Sequence, residues 1–544
     1  MIETRPSTRS ARSGRTAWLL VLLAACGDNL AGELAEPCDA PAEGRCNGNT
    51  LETCAGDETL AEPCDLATCT LDGDRYACID PCDEAGVTED GTCSGNTLTR
   101  CSFEDDRHVV ETITCDVGTR CTEVAGQPAE CAVDPCADVG PLGRCQGNNL
   151  IECVGGGPQM TDCSANGEVC GYAGDTEGYA CIAPTGAFVV HGVVRYEDRP
   201  PLPDGALGPI QTLPARSAEV SIVLDQGSMV LATAHTADDG SYLLRYDATA
   251  GDLVHVMVTA RSTVPLRPFR VNRTQNQTHA FGGGSFAAAT PVQQDVLVTD
   301  ASGTSEAFNI LDQGVLAMDV IRLQMDQTPQ LLTARWSRGS NNGTYYSNGG
   351  IFLLGAASDD DGYDDTVILH EIGHWVEDVY GRSDSPGGAH DGSPTDPNLA
   401  WSEGCSTYFA MAVRDRPHYM DSNAGGGWGY DADATVTALA AGSTLASDIS
   451  EDTVTEILWD IADGGAADDD LVSTASHRHV LLVWPDHLAT ANLRSVGESG
   501  VDLVDFLDGW FIEQGLASCA GVRGIVDVDH AFPYDYGSSA GACP

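Results

Sequence analysis

Apolar positions are spaced most regularly between residues 366 and 380, in the segment TVILHEIGHWVEDVY. They recur at helical spacing and form one broad face, made by Val367, Ile368, Ile372, Trp375, Val376 and Val379. Asp364 and Asp365 precede this run, at the end of a helix where the backbone dipole favours carboxylates. The pattern therefore predicts a buried helix over residues 366–380.

Comparable patterns predict the elements on either side of this helix. Helices are expected in three further segments: FNILDQGVLAMDVIRL from Phe308, PNLAWSEGCSTYFAMAV from Pro397 and EILWDIAD from Glu456. A strand-like run, IFLLGA from Ile351, and the acidic loop SDDDGYDD lie between the first helix and the central one. The C-terminal part of the chain is therefore predicted to contain both helices and strands.

Between residues 184 and 285 the pattern changes to that of strands. Short β-rich runs such as FVVHGVVRY and LVHVMVTAR alternate with Pro, Gly and Asp turns, which predicts an antiparallel β-sandwich. The order of HGVV, AEVSIVL and TADDGSYLL is similar to carboxypeptidase regulatory-like domains, in which the positions of Thr236, Gly240 and Tyr242 turn the chain into a core strand. The following segment, FGGGSFAAATP, is predicted to be a linker.

Eighteen of the 22 cysteines lie between Cys38 and Cys181, in three sets of six. In each set the second and third cysteines frame the phrase CxGNxLxxC, so residues 26–183 are interpreted as three repeats. Modules this small need disulfides, and we predict three within each module, with a connectivity that the sequence leaves open. Zinc binding is the alternative, although the paired CxxC spacing of zinc ribbons is missing. Cys519 and Cys543 are expected to pair, which leaves Cys405 as a free thiol.

The N-terminus has the pattern of an export signal. Arginines precede a short apolar run, AWLLVLLAA, that is too short to span a membrane. The run ends in Leu23-Ala24-Ala25-Cys26, which resembles the lipobox of bacterial lipoproteins, whose cysteine is acylated. This resemblance implies a lipoprotein signal peptide over residues 1–25 and a lipid anchor on Cys26 that holds the exported chain at a bacterial membrane, in the periplasm or at the cell surface. An ordinary signal peptide with a chance cysteine is the alternative.

The chain is strongly acidic, with 81 Asp and Glu against 27 Lys and Arg and a net charge of −54. The acidic residues are spread along the whole sequence, and they would repel the phosphate backbone of a nucleic acid. We therefore exclude nucleic acid as a partner and interpret the charge as a solubilising surface.

Two histidines on the central predicted helix are four positions apart. His370 and His374 therefore project to the same side, where they can share one metal ion. Glu371 follows the first histidine, in the position of a general base beside the metal. The alternative is two core histidines and a surface glutamate. The metzincin form of this motif is excluded because Glu377 and Tyr380 occupy its glycine and third histidine positions.

A catalytic zinc needs a third protein ligand, which must lie elsewhere. Glu403 is on the next predicted helix, and His390, in the loop GGAHDGSP, is the rival candidate. With their HExxH and WSEG motifs, residues 305–465 resemble the gluzincin, or thermolysin-like, metallopeptidases. That resemblance implies Zn²⁺ held by His370, His374 and Glu403, with Glu371 as the base, in an α+β zincin-like domain over residues 286–544.

The same resemblance implies a zinc-dependent endopeptidase that hydrolyses peptide bonds in protein or peptide substrates outside the cytoplasm. The sequence departs from the thermolysin pattern at Thr407, where that pattern has an aspartate. Two alternatives stay open: a non-catalytic adhesion or scaffold protein that keeps a metal-binding zincin fold, and a zinc hydrolase for non-peptide amides or esters.

Several other residues are candidates for supporting roles. His477 and His479 are candidate donors to the oxyanion of the reaction, and Asp460 could hydrogen-bond a ligand histidine, although surface or capping roles suit all three equally. The acidic run 359–361 could bind calcium, but it lacks the ligand spacing of an EF-hand and is interpreted as a solvated loop.

The lipobox generates the first testable prediction. Replacing Cys26 by serine should move the protein from the detergent phase to the aqueous phase, because the acyl chains then have no thiol to modify. Detergent partitioning of the wild type and of Cys26→Ser measures this shift. Unchanged membrane association of the variant would contradict a lipid anchor.

Overall fold

The structure is a computed structural model of the chain. It describes residues 44–536 apart from residues 48, 56–57, 65, 73–74, 95, 105–106, 116–118, 124–126, 137–138, 140–142, 147–148, 175–177, 183–187, 203–204, 274–275, 290, 464–471, 473–475, 490–496 and 516–517. The predicted signal peptide, the predicted lipidation residue Cys26, and Cys38 and Cys543 lie outside the described residues. Within the described part, no helix is long and apolar enough to cross a membrane.

The chain is multidomain and divides into two compact units. One unit consists of Met1–Glu89 and Arg100–Glu111, and the other of Asp90–Thr99 and Thr112–Pro544. The second unit contains the third repeat, the β-sheet-rich region and the helical region.

The cysteine-rich region is built from short β-hairpins. Its elements are β1 (Arg45–Asn47), β2 (Thr50–Ala55), β3 (Glu58–Pro63), β4 (Thr68–Asp72), β5 (Arg75–Ile79), α1 (Pro81–Ala85), β6 (Thr92–Ser94), β7 (Thr97–Glu104), β8 (Arg107–Thr114), β9 (Thr119–Thr122), β10 (Glu130–Val133), β11 (Arg144–Gln146), β12 (Asn149–Val154), β13 (Gly157–Asp162), β14 (Val169–Gly174) and β15 (Gly178–Ile182). In the third repeat, β12 pairs antiparallel with both β11 and β13, and β14 pairs with β15.

Disulfides within each repeat hold these hairpins together, as predicted. The bonds are Cys46–Cys69, Cys64–Cys78, Cys82–Cys101, Cys93–Cys121, Cys115–Cys131, Cys136–Cys153, Cys145–Cys170 and Cys163–Cys181. In the second and third repeats the first cysteine pairs with the third, the second with the fifth and the fourth with the sixth. These bonds exclude zinc as the partner of the cysteines involved. They also indicate an exported or extracellular protein, because disulfides persist in oxidising compartments.

The asparagine of the CxGNxLxxC phrase joins distant parts of a repeat. Asn49 donates to the carbonyl of Ala67 and accepts from the amide of Cys69, both at 2.9 Å. Asn96 makes the equivalent bonds to Cys115 and Cys121 in the second repeat. The phrase therefore encodes a side-chain clamp on the backbone, and its leucine contributes to the small core, where Leu98 is buried.

The β-sheet-rich region consists of β16 (Phe188–Asp198), β17 (Gln211–Pro214), β18 (Glu219–Leu224), β19 (Met229–His235), β20 (Ser241–Tyr246), β21 (Leu253–Thr259), β22 (Arg261–Ser262), β23 (Phe269–Asn272), β24 (Ala280–Gly282), β25 (Phe286–Ala287), β26 (Val292–Gln293) and β27 (Val296–Val298). One sheet has the order β17-β16-β20 with β26 and β27 on β16, and the other has the order β19-β18-β21-β24 with β25 on β21. Alternate residues of β16 and β20 are buried, as in a sandwich.

The sandwich differs from its prediction in two respects. Strands β26 and β27 pair with β16 in parallel, so the sheets are not purely antiparallel. The segment predicted as a linker contributes β24 and β25 to the second sheet, and the sheets continue beyond residue 285 to Val298. Glycines and alanines suggested a linker, but their backbone groups still pair when a neighbouring strand is available.

Local structure explains why the chain turns into a core strand at Thr236, Gly240 and Tyr242. The buried Thr236 hydroxyl accepts from the amide of Ala218 and donates to the carbonyl of Ala215. Gly240 has φ 78° and a Cβ there would lie 2.3 Å from the Val194 carbonyl oxygen, so only glycine fits this turn. Tyr242 then enters the core.

The helical region contains α2 (Ser305–Leu323), β28 (Leu332–Arg335), β29 (Tyr345–Ser347), β30 (Gly350–Phe352), β31 (Gly355–Ala356), β32 (Asp359–Asp360), α3 (Asp365–Tyr380), α4 (Pro397–Arg414), β33 (His418–Asp421), β34 (Trp428–Asp431), α5 (Glu451–Ala462), α6 (His477–Val483), α7 (Leu503–Gln514) and α8 (Cys519–Arg523). Helices α2 to α5 confirm the four predicted helical segments. A mixed sheet of order β22-β23-β28-β30-β29 links this region to the preceding one, because β23 and β28 pair in parallel.

The acidic residues at the start of α3 lie at the N-terminus of the helix, as predicted, and also make contacts that the sequence did not indicate. Asp364 occupies the N-cap position, but its side chain makes no cap hydrogen bond. It accepts instead from the amide and hydroxyl of Ser422. Asp365 binds Asn309 and Arg414. Both carboxylates therefore fasten the start of α3 to neighbouring elements.

The disulfide pattern generates a prediction about thiols. Cys405 is a free cysteine that is fully buried, and Cys519 is disulfide-bonded. A thiol-alkylating reagent should therefore label Cys405 alone in the lipidated protein unfolded without reductant, and should label nothing in the folded protein. Mass mapping of the labelled and disulfide-linked peptides gives the result: a labelled cysteine between Cys38 and Cys181 would contradict complete oxidation, and a disulfide between two repeats would contradict the pairing within repeats.

Candidate metal centre

Helices α3 and α4 pack closely where the candidate ligands lie. A Cβ at Gly373 would come within 2.7 Å of the Ser406 Cα, so the two backbones touch there. This contact brings His370 and His374 on α3 opposite Glu403 on α4. All three side chains are mostly buried. His370 is 7% exposed and Glu403 is 8% exposed.

Three donor atoms converge between the helices. Glu403 Oε2 is 3.2 Å from His370 Nε2 and 3.1 Å from His374 Nε2, and the two Nε2 atoms are 3.1 Å apart. Ligands at tetrahedral zinc distances are separated by roughly 3.3 Å. The spacing and the donor types therefore fit a zinc-sized ion, and these three residues could hold one.

Hydroxyl groups contact the other ring nitrogens of both histidines. His370 Nδ1 lies 2.9 Å from Thr407 Oγ1, and His374 Nδ1 lies 3.0 Å from Ser406 Oγ and 3.2 Å from Ser402 Oγ. Ser402 in turn donates to Glu377 Oε2 at 2.6 Å, which leaves its oxygen lone pairs for the imidazole N–H. These contacts direct both Nε2 atoms towards Glu403.

The departure from the thermolysin pattern at Thr407 still leaves a hydrogen-bonding partner beside His370. Thr407 stands where the thermolysin pattern has an aspartate, and its hydroxyl occupies the hydrogen-bonding position beside His370. A neutral hydroxyl orients the ring without adding a negative charge to a region that already contains Glu371, Glu377 and Glu403.

The ionisable groups of the centre shift one another's pKa values. Burial raises the pKa of Glu403, but hydrogen bonds from His370 and His374 outweigh it and hold that pKa well below its usual range. Burial lowers the pKa of His374, yet the Glu403 carboxylate prevails and raises it to about 9. Glu403 is thus a carboxylate at neutral pH, as a metal ligand must be.

Glu371 lies beside the three donors in a different environment. Burial raises its pKa, and the nearby histidines only partly oppose this effect. Its Oε2 atom is buried and has no hydrogen-bond partner among the described residues. Together with the donors it lines a cleft of about 1140 Å³. The side chain therefore lines a space large enough for a substrate, and one of its carboxylate oxygens has no hydrogen bond in the described structure.

The structure brings His390 to the same cleft. Its Nε2 is 3.4 Å from Glu403 Oε2, and its Nδ1 is 2.9 Å from Glu451 Oε2. These contacts involve opposite nitrogens of one ring, so a single ion could not replace both of them. His390 also belongs to a loop in which Gly387 and Gly388 have positive φ, and it is 37% exposed. Glu403 fits the two histidines of α3 better as a third ligand.

Three other sequence candidates lie away from the cleft. His477 Nδ1 contacts the Tyr408 hydroxyl at 3.0 Å, and His479 Nδ1 contacts Ser476 Oγ at 2.9 Å. Asp460 contacts His530 Nε2 at 3.3 Å, not a histidine of α3. None of them is among the described residues that line the cleft. Sequence reasoning selected them by residue type, and their helices turn them elsewhere.

Sequence reasoning missed part of the cleft wall and misjudged another part. Tyr419 lies with its ring centre 5.9 Å from that of His370, but the short strand that positions it carries no motif. The run 359–361 is not a solvated loop, because Asp361 is 4% exposed and lines the cleft together with Asp359 and Asp421. The carboxylates of these three residues lie within 4.8 Å of one another.

Comparison with known families agrees with the nature of this centre. The sequence model of the family described as the Mycolysin C-terminal domain matches residues 322–494, a segment that includes α3 and α4. The match is consistent with a peptidase context and suggests zinc as the metal. No curated protein sequence matches the chain significantly.

Proposed function

We propose that the chain is a zinc-dependent endopeptidase that hydrolyses peptide bonds outside the cytoplasm, with a zincin-like domain in the helical region that follows Val298. The observation that carries this proposal is the convergence of His370 Nε2, His374 Nε2 and Glu403 Oε2 at 3.1–3.2 Å. In the proposed enzyme these three atoms are the zinc ligands. Glu371, which lines the same cleft, is the general base. The partial match to a mycolysin domain supports it.

The residues around the centre have distinct roles in this reaction. A zinc ion held by His370, His374 and Glu403 would supply Lewis-acid chemistry, which would polarise a peptide carbonyl and lower the pKa of water to about 7. Glu371, whose side chain lines the same cleft, would accept the proton of that water at its carboxylate. The same carboxyl then delivers the proton to the leaving amine. Thr407, Ser402 and Ser406 keep the two imidazoles oriented.

The proposal includes attachment to a membrane. The lipobox that ends at Cys26 supports a lipid anchor, and the disulfides of the repeats support an oxidising location. Along the sequence, the repeats and the sandwich lie between Cys26 and the peptidase region.

The third ligand can be tested through metal content. Glu403→Ala should lower zinc affinity more than about tenfold, because it removes a ligand from a three-residue set. His390→Ala is the matched control from the same cleft and should keep zinc. Metal analysis after dialysis, with circular dichroism as a check of folding, measures both. Retention of zinc by Glu403→Ala together with its loss from His390→Ala would overturn the ligand assignment.

The base can be tested separately from the metal. Glu371→Gln should keep zinc and the fold but lose about 10²–10⁴-fold in kcat/KM on a fluorogenic peptide, because an amide cannot accept the proton. Glu130→Gln, on an exposed strand of the repeats, makes the same chemical change away from the cleft and should keep the activity. A zinc-loaded wild type without any peptidase activity would favour the scaffold alternative, and full activity in Glu371→Gln would place the activity elsewhere.

A further inference from the structure

The cleft beside the candidate metal centre is acidic on its walls as well as at its base. Carboxylates that line it in addition to Glu371 and Glu403 are Asp359, Asp361, Asp391, Asp421, Glu451 and Asp452. No lysine or arginine is among the described residues of the lining. Apart from the histidines beside Glu403 and Glu451, no basic side chain of the described lining offsets this negative charge.

Three of these carboxylates form a compact group, here called the acidic cluster: Asp359, Asp361 and Asp421. Their oxygens lie within 4.8 Å of one another although they come from three elements, β32, the turn after it and the end of β33. Asp361 Oδ2 accepts from Thr344 Oγ1 and, at 3.3 Å, from the amide of Leu354. These neutral donors hold Asp361 in place but do not cancel its charge.

Burial and mutual repulsion make the ionised form of the acidic cluster unfavourable. Burial, together with the neighbouring carboxylates, raises the pKa of Asp361 to about 7, and burial and Asp359 raise the pKa of Asp421 to about 6. Among the described residues, no cationic side chain makes an ion pair with the cluster. Like charges at such short range repel one another, and a cation placed among them would relieve the repulsion.

An aromatic wall adjoins the acidic cluster. Tyr419 and Asp421 are two positions apart on β33 and so project to the same face of the strand. The Tyr419 ring is 5.6 Å from the Trp428 ring, which stacks in turn on Tyr430. Trp428 is 53% exposed, so its ring is accessible to a ligand. The aliphatic stem of a long side chain could pack on these rings while its charged end reaches the cluster.

A second observation indicates independently that this cleft takes a ligand. Glu371 is 6% exposed, and its Oε2 atom has no hydrogen-bond partner in the described structure although it lines the cleft. Tyr419 connects the two parts of the cleft, since its ring is 5.9 Å from the His370 ring and its strand ends at Asp421. The metal centre, the aromatic wall and the acidic cluster therefore line one continuous cleft.

We propose that the acidic cluster and the aromatic wall form a subsite that binds a lysine or arginine side chain of the peptide substrate close to the bond that is cleaved. This inference rests on the proposed peptidase function and adds the substrate class. Asp359, Asp361 and Asp421 pair with the cation, and Tyr419 and Trp428 contact its stem.

A bound calcium ion suits the acidic cluster less well. Calcium takes 6–8 oxygen ligands, whereas Asp361 Oδ2 already accepts two hydrogen bonds and the adjoining wall consists of aromatic rings. An extended side chain uses the rings and the carboxylates together. The overall charge of −54 also attracts basic peptides over a longer range.

The test uses the full-length, zinc-loaded protein and matched fluorogenic peptides. The peptides carry lysine, norleucine or glutamate at one position, which is varied in turn on each side of a single cleavable bond. At one of these positions lysine should exceed norleucine by about tenfold or more in kcat/KM, and glutamate should be the poorest. Anisotropy of the same labelled peptides on Glu371→Gln measures binding without turnover.

Substitutions in the acidic cluster test whether it causes the preference for lysine. Asp421→Asn and Asp359→Asn should each reduce the ratio of lysine to norleucine by about tenfold, because each removes one charge from the pair. Glu130→Gln, on an exposed strand of the repeats, changes the net charge equally and should leave the ratio unaltered. Equilibrium dialysis with calcium alone is performed on the same proteins.

The outcomes separate this inference from the proposed function. Hydrolysis without a lysine preference, or a preference that survives both aspartate variants, would overturn the subsite and leave the peptidase intact. Selective binding of lysine peptides with no hydrolysis would support the subsite and overturn the peptidase. Calcium binding that is lost in Asp421→Asn, with peptide selectivity unchanged, would make the cluster a calcium site and overturn the proposal.

Discussion

The close contact between α3 and α4 is the constraint on which the centre depends. Gly373 leaves space for the backbone of Ser406, so the helices approach more closely than side chains would allow. At that separation Glu403 reaches both histidines, and the hydroxyls of α4 reach the backs of their rings. One small residue between the two histidines thus sets the distances of the centre and of its supporting hydrogen bonds, because all of them cross the same helix interface.

The cleft is framed by parts of the chain that are far apart in sequence. The hairpin β33–β34, which carries the aromatic wall, is fixed to α3 by hydrogen bonds between the Thr366 hydroxyl and the backbone of Met420. On its other side, a Cβ at Gly427 would lie 2.4 Å from the Gly205 carbonyl oxygen, so a loop of the sandwich region touches the hairpin directly. The sandwich region therefore supports the cleft wall. The parallel pairing of β23 with β28 also fixes the position of the sandwich region relative to the helical region.

The few basic residues of this acidic chain are used for structure outside the cleft. Arg216 pairs with Asp312, and Arg267 with Asp319, where α2 meets the sandwich. Arg414 compensates Asp365 at the start of α3. These three carboxylates thus receive an arginine from the chain itself, whereas no arginine or lysine is among the described residues that line the cleft. This difference follows from tertiary placement, since the acidic residues are spread evenly along the sequence.

The sequence alone determined the features that depend on local spacing. Helix periodicity predicted α2 to α5, the four-residue step placed His370 and His374 on one side of α3, and the cysteine repeats predicted disulfides within each module. Only the tertiary structure decided which distant groups meet. It brought Glu403 to both histidines with His390 at the edge of the same cleft, moved His477 and His479 away, and turned a predicted linker into strands. The physical reason is that helix and turn formation depend on neighbours in sequence, whereas contacts across helix and sheet interfaces depend on the packing of the whole chain.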